Sequence, residues 1–267
     1  MYVALVTGAS AGIGEATARR LAHECDVQLV LVARREERLR ALANELGGAT
    51  VIAIDLLRDE APERVLDIVE REHGELHLLI NNAGAAWRGR FGDTGWANVE
   101  RHMKLDFEAP VRLTEALLPL LRRTAAATAG GSGRRVAIVN VASTAARVSR
   151  PNSGAYSASK FALAGWSDAL YGEEQRHGVH VGLVLPGFIK TEGFPARELL
   201  AKPHTRWLVS SPERVADAIM ETGPGGKAER YVPRPYWFAA AARLLLPAVV
   251  RRATAGGAFT TATAVKD

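Results

Sequence analysis

The run Tyr156-Ser157-Ala158-Ser159-Lys160 sets a phenol and an ammonium four residues apart, with Ser143 thirteen residues before the tyrosine. On a helix those two side chains share a face and stand side by side. A phenol is a poor base near neutral pH because its unperturbed pKa is about 10. A neighbouring cation favours the phenolate, which turns a tyrosine into a proton donor and acceptor for an alcohol or a carbonyl oxygen. The same spacing also occurs in ordinary exposed helices, so this reading depends on the motifs around it.

Such a pair needs a framework, and apolar runs alternate with helical patterns along the whole chain. Strands are expected at 2–7, 27–33, 49–54, 76–81, 134–142 and 179–185, with a short seventh at Arg230-Tyr231-Val232. Helices are expected at about 12–23, 35–46, 60–73, 95–123 and 155–176. Continuous apolar runs, rather than polar alternation, mark strands covered on both faces. Alternating strand and helix units imply an α/β fold: a single-domain, doubly wound, mostly parallel Rossmann sheet of about seven strands with helices on both faces. Thr124–Gly133, rich in Ala, Thr, Gly and Ser, reads as a solvated loop.

After the first strand comes Thr7-Gly8-Ala9-Ser10-Ala11-Gly12-Ile13-Gly14, opening the first helix. Glycine lets a backbone turn tightly and approach a pyrophosphate, and a helix N-terminus presents free N–H groups and a positive dipole end. A plain tight turn is the alternative. At the end of the second strand an acid would hold a ribose hydroxyl, whereas an arginine accommodates a 2′-phosphate. The chain reads Ala33-Arg34-Arg35 there, which favours NADP over NAD; a solvated start to a charged helix is the bland reading.

The composition is that of a globular protein with a sizeable core: 48% hydrophobic and 24% charged over 267 residues. Cys25 is the only cysteine, which excludes an internal disulfide and fits a reducing, cytoplasmic compartment. With Glu24 and Asp26 beside it, a structural role is favoured over a reactive one. No signal peptide is expected before the first strand, and no apolar run reaches the ~20 residues of a membrane span. The histidines show no metal-binding spacing. The net charge of +5 sits wholly in residues 227–267, where seven basic side chains face Glu229 and Asp267. A neutral body argues against a nucleic-acid surface.

With these pieces in order, the chain resembles the short-chain dehydrogenase/reductase family over about residues 2–220. The motifs that carry the resemblance are the Gly turn Thr7–Gly14, Asp55, Asn81-Asn82-Ala83-Gly84, Ser143, Tyr156-x-x-x-Lys160, and Pro186-Gly187 with Thr191. The resemblance implies that Tyr156 is the general acid/base on the substrate oxygen. Lys160 would depress the tyrosine's pKa and hold the nicotinamide ribose, and Ser143 would orient the same oxygen. It further implies that Gly8, Ser10, Ala11, Gly12 and Ile13 surround the pyrophosphate and adjoining ribose. Asp55 and Leu56 would border the adenine, and Asn82, Ala83 and Gly84 the ribose side. Pro186, Gly187, Ile189 and Thr191 would cover the nicotinamide. It implies, too, a homodimer or homotetramer built on the helices at about 105–123 and 155–176. Phe161, Leu163, Trp166 and Leu170 read as more apolar surface than one sheet face needs.

One position departs from the family pattern. Where the family has an asparagine whose backbone carbonyl holds a relay water, this chain has Asp106. A backbone carbonyl survives that change, but the side chain loses amide donors and gains a possible charge.

The family's specificity segment, about 188–210, holds Phe188, Phe194, Leu199, Leu200, Trp207, Leu208 and Val209 among Lys190, Arg197, Lys202 and Arg206. It reads either as a lid over an apolar substrate or as simple packing on the body. Trp87 and Arg88 are further candidates for the pocket edge. The segment at about 235–252 is apolar apart from Arg243 and ends in Arg251 and Arg252, with Pro247 expected to kink it. Docking on the cleft or on another subunit is preferred over lying on an anionic membrane surface. The domain therefore runs over 1–253, and 254–267 reads as a disordered tail. The expected function is NADP(H)-dependent interconversion of a carbonyl and an alcohol on an apolar small molecule. The alternatives are a non-catalytic NADP-binding sensor or scaffold and an epimerase or dehydratase that uses the nucleotide transiently.

Overall fold

The computed structural model describes residues 1–129, 134–192, 194, 196–201 and 205–255. The Lys202 position and the tail beyond Ala255 lie outside them. Strands β1 (Tyr2–Thr7), β2 (Val27–Ala33), β3 (Thr50–Ala53) and β4 (Leu78–Asn81) alternate with helices α1 (Gly12–Ala22), α2 (Glu36–Glu45) and α3 (Ala61–Glu72). Helices α4 (Phe91–Met103) and α5 (Ala109–Thr128) follow, then β5 (Ala137–Val141), α6 (Gly154–Glu174) and β6 (His180–Pro186). A small pair, β7 (Phe188–Ile189) and β8 (Val209–Ser210), brackets α7 (Arg197–Leu200). The described chain ends with α8 (Pro212–Thr222), β9 (Glu229–Val232), α9 (Tyr236–Leu245) and α10 (Pro247–Ala255).

Seven strands form one parallel sheet in the order β3-β2-β1-β4-β5-β6-β9. The order reverses between β1 and β4, which opens a crevice at the carboxyl ends of the strands. The apolar runs are explained by burial on both faces. Ala4 and Val6 join one core cluster and Val3 and Leu5 the other, as the alternation of side chains along a strand requires. Leu5 is fully buried, and its truncation to alanine would cost about 2–5 kcal/mol.

Three local features differ from expectation. First, α5 continues through Thr128, so residues 124–128 are helix rather than loop. Alanines there favour the helix, and Thr124 is buried, donating to the Leu120 carbonyl and accepting from the Leu76 N–H. Residues 130–133 fall outside the described chain. Second, α8 and the β7–β8 pair were not anticipated; α8 packs Val215, Ala216 and Ile219 fully inside. Third, the helical region from about 95 is in pieces. Gly95, at φ 57°, breaks α4, and a π-helical turn at Lys104–Glu108 joins α4 to α5. Such turns often mark functional sites.

The spare apolar surface expected on α6 is mostly absent. Leu163 and Leu170 are buried in the core and Trp166 is half-buried, so Phe161 is the one of the four that is exposed.

Candidate active site

A cleft of about 1340 Å³ runs along the carboxyl ends of the strands. Its size exceeds the several hundred Å³ usual for a single small ligand. Ser143, Tyr156 and Lys160 all line it. Ser143 follows β5 and caps a short turn, its Oγ accepting from the Ala145 N–H at 3.1 Å and donating to the Pro186 carbonyl at 3.3 Å. Tyr156 and Lys160 rise from the first turns of α6, with the ammonium 5.8 Å from the phenol ring centre. Lys160 is buried and donates to the Val141 carbonyl at 3.2 Å.

The π-helical turn inserts Asp106 behind this lysine. Its Oδ1 lies 3.5 Å from Lys160 Nζ and accepts from the Ala85 N–H at 3.1 Å, while Oδ2 is buried without a hydrogen-bond partner. Burial raises the carboxyl's pKa, and the Lys160 cation offsets only part of that shift. Gly84 lets the carboxylate approach closely, since a Cβ there would meet Asp106 Oδ1 at 2.5 Å and force it to shift.

Sequence reasoning did not find His102. It is fully buried beside Tyr156, ring centres 5.9 Å apart. The Trp87 N–H donates to its Nε2, so Nδ1 carries the proton and donates to the Asn98 carbonyl at 2.8 Å. Nor did it find the buried polar chain that fixes the helices to the sheet. The Asn81 amide donates to Thr114 of α5 and to Asn140 of β5, and Asn140 donates to Ser167 of α6. These bonds tie the helices to the sheet, while Asn81 Oδ1 is buried without a hydrogen-bond partner.

At the other end lies the Gly turn. Gly8 and Gly12 have φ of 67° and 59°. A Cβ on Gly14 would meet the Gly8 carbonyl oxygen at 2.3 Å. The Thr7 hydroxyl accepts from the Asn82 and Ala83 N–H groups, and the Asn82 amide donates to the Thr7 carbonyl, which locks β1 to β4. Ala11 offers α1 no side-chain cap, which leaves the first N–H groups of the helix without a side-chain partner.

Arg35 donates to the Ser10 hydroxyl and carbonyl, both at 3.2 Å, so its guanidinium arches over the turn. Arg34 is mostly exposed and lies 3.9 Å from Asp55. Arg38, not anticipated, forms a two-pronged pair with Glu192 of the lid. Leu56 is buried after β3. Ile13, Asn82, Gly84, Pro186, Gly187, Ile189 and Thr191 join Ser143, Tyr156 and Lys160 on the cleft wall, and the Thr191 methyl sits over Gly12. The other expected nucleotide residues stand at the strand ends without lining the cleft. Cys25 is exposed and is not part of the cleft wall, and no group of metal-ligating side chains occurs among the described residues.

The specificity segment both packs on itself and faces the cleft. Phe188, Leu199 and Leu208 pack on one another with Phe194, Val209 and Tyr236, while Phe188, Phe194 and Trp207 also face the cleft, as do Trp87 and Arg88. The apolar C-terminal segment breaks before Pro247 as expected. Tyr236 seats against Gly187, where a Cβ would meet its ring at 2.5 Å, and donates to the Leu208 carbonyl at 3.1 Å. One face of α9 thus walls the cleft, and α10 adds Val250 and Thr254. Trp237, Phe238, Leu244, Leu245, Leu246 and Val249 remain exposed. Part of the basic charge is neutralised locally: Glu221 holds Lys227 and Arg230, which pull its pKa down to about 2. No helix among the described residues is long and apolar enough to cross a membrane.

Comparison with known proteins follows this geometry. The short chain dehydrogenase family model matches residues 2–198. Dehydrogenase/reductase SDR family member 7B of Danio rerio is 32% identical over 199 residues, a match that takes in 71% of this chain and 61% of that protein. Ketoacyl reductase HetN of Nostoc is 31% identical over 221 residues, covering 81% and 73% respectively. The chain therefore spans less than two thirds of the zebrafish relative's length. Among solved structures, the Pseudomonas aeruginosa RhlG/NADP active-site complex has a TM-score of 0.74 and 26% identity, over 86% of this chain and 93% of that one. In sequence and in fold alike, this chain belongs to the short-chain dehydrogenase family.

Proposed function

We propose that this protein is an NADP(H)-dependent oxidoreductase that interconverts a carbonyl and an alcohol on a largely apolar small molecule. The observation that carries the reading is the sharing of one cleft by Ser143, Tyr156 and Lys160 with Ile13 and Asn82 of the nucleotide end. The residues present fit a dinucleotide. Gly8, Gly12 and Gly14 let the turn fold tightly against Asn82, Thr191 and its own backbone, where Cβ atoms would collide, and the helix N-terminus with Arg35 over it suits phosphate. Arg34 and Arg35 favour a 2′-phosphate, since a guanidinium pairs with phosphate through two parallel hydrogen bonds. The NADP in the complex of the Pseudomonas relative and the reductase name of the Nostoc relative agree with this assignment.

When bound, the nicotinamide exchanges a hydride with the substrate carbon. The chain's own residues handle the oxygen. In the reductive direction Tyr156 donates its phenolic proton to the carbonyl oxygen as negative charge develops there, and in the oxidative direction it takes that proton back. Ser143 donates to the same oxygen and fixes its orientation. Lys160, buried behind the phenol, holds the ribose hydroxyls. Asp106 stands where a proton path from Lys160 would begin. Phe188, Phe194, Trp207 and α9 would give the substrate apolar walls. The active species is a homodimer or homotetramer, to be read by light scattering.

The test is turnover of a ketone and alcohol panel with NADPH or NADP, followed at the nicotinamide absorbance. Substrate-dependent consumption of NADPH supports the reading; tight nucleotide binding with no turnover on any member would displace it.

A further inference from the structure

The last two helices carry more apolar surface than the cleft uses. Tyr236, Ala239 and Ala240 of α9 and Val250 and Thr254 of α10 belong to the cleft wall. Trp237, Phe238, Leu244 and Leu245 recur at i, i+1, i+7 and i+8, which gathers them on another face of α9. Phe238 reaches the cleft edge as well. Leu244 and Leu245 are each 79% exposed, and Trp237, Phe238, Leu246 and Val249 are exposed with them. The rings of Trp237 and Phe238 stack with centres 4.0 Å apart. Because α10 opens at Pro247, Leu244, Leu245 and Leu246 stand at the bend between the two helices. Large apolar side chains exposed together mark an interaction surface, whereas singly scattered ones need no explanation.

Charge selects the occupant. No carboxylate occurs between Arg230 and Ala255. Glu221 takes Lys227, Arg230 and Arg234, which leaves Arg243, Arg251 and Arg252 without an ion pair among the described residues. Arg243 and Arg251 line a second groove, of about 340 Å³, together with Val148, Phe161 and Val250. Cations without carboxylate partners therefore accompany exposed leucines and aromatics. That combination seats a helix at the boundary between anionic headgroups and acyl chains. A second copy of the chain fits the same surface poorly. A two-fold contact sets a patch against itself, so the arginines would meet their own counterparts with no carboxylate in the segment to separate them.

We propose that the ridge from Trp237 to Val249 docks this protein on an anionic lipid surface. Leu244, Leu245 and Leu246 enter the acyl boundary, and Arg243, Arg251 and Arg252 meet the headgroups. Helices α9 and α10 also line the cleft, so docking sets the cleft wall against the lipid. Docking requires neither nucleotide nor turnover, so it stands or falls apart from the hydride-transfer reading.

Flotation of the full chain with lipid vesicles tests it. Vesicles of about two parts phosphatidylcholine to one part phosphatidylserine should bind about tenfold or more tighter than phosphatidylcholine alone, since each arginine near an anionic surface adds to the attraction. Arg251→Gln combined with Arg252→Gln should remove most of that ratio. Leu244→Ser combined with Leu245→Ser should weaken binding to the anionic vesicles by about tenfold or more, because both side chains lose their apolar burial. All four positions are exposed, and an unchanged melting temperature certifies the fold of each variant. Absence of binding by the wild type, equal binding to both vesicles, or binding that the folded leucine variant leaves unchanged overturns the proposal. So does a lipid-free oligomer that the leucine variant dissociates in light scattering, which gives the ridge to a second copy. The wild-type comparison of the two vesicles decides the matter if a variant does not fold.

Discussion

Lys160 Nζ stands 3.5 Å from Asp106 Oδ1, with both side chains buried near Tyr156. Desolvation raises the Asp106 pKa despite that cation. Below the unfolded value of about 3.9 both states hold the proton and there is no cost. Above it the folded chain retains a proton that the unfolded chain releases, so stability is lost as pH rises through the raised folded value. Asp106→Asn removes this titration. The melting temperature of the variant relative to wild type should therefore climb from about pH 4 to about pH 8. A gap that is constant or shrinks would show that the ionised carboxylate is not penalised.

His77 titrates with the opposite sense. Burial lowers its pKa, and its neutral Nδ1 accepts from the Val3 N–H at 3.2 Å. Its contribution is present above the unfolded value of about 6.5 and is lost as pH falls through the depressed folded value. His77→Gln should flatten the acid side of the stability profile; an unchanged profile would place the acid sensitivity elsewhere.

The proposed cofactor choice rests on Arg34 and Arg35. NADPH should be preferred over NADH by at least about tenfold in kcat/KM, because a charge-assisted contact is worth roughly 1.5–3 kcal/mol. Arg35 already reaches over the Gly turn to Ser10, so Arg35→Ala should erode the preference along with Arg34→Ala. Equal use of both cofactors by the wild type would refute the assignment.

The C-terminal helices should matter for substrate rather than cofactor. Tyr236 packs on Gly187 and α9 walls the cleft. Ending the chain before Tyr236 removes one or more apolar contacts of about 1.5–3 kcal/mol, which is about tenfold or more in KM for bulky substrates. NADPH affinity should change little. Persistent binding of the intact protein to anionic vesicles at moderate salt would favour a lipid surface for the exposed Leu244–Leu246 ridge.

The strands were legible because a sheet covered on both faces needs unbroken apolar runs, and β1, β4, β5 and β6 are buried throughout. The Tyr156–Lys160 spacing was legible because it lies within one helix. Helix α8 was missed although Ser211-Pro212 marked its start, since its buried positions are mostly short side chains. The end of α5 was misread because alanine and threonine resemble a linker until Thr124 is seen inside the core. Asp106 and Arg88 were legible as candidates, but His102 and Arg150 join the site only through the fold. His102 meets the Tyr156 ring from another helix, and no local periodicity records that contact.

In the proposed reaction Tyr156 moves the proton. NADPH consumption by Tyr156→Phe on the best carbonyl substrate, beside NADPH binding by fluorescence, tests it most directly. Turnover should fall by about a hundredfold to ten-thousandfold, the range of general acid–base catalysis, with the dissociation constant for NADPH changed by less than about threefold. A phenylalanine variant that turns over at the wild-type rate would contradict the account.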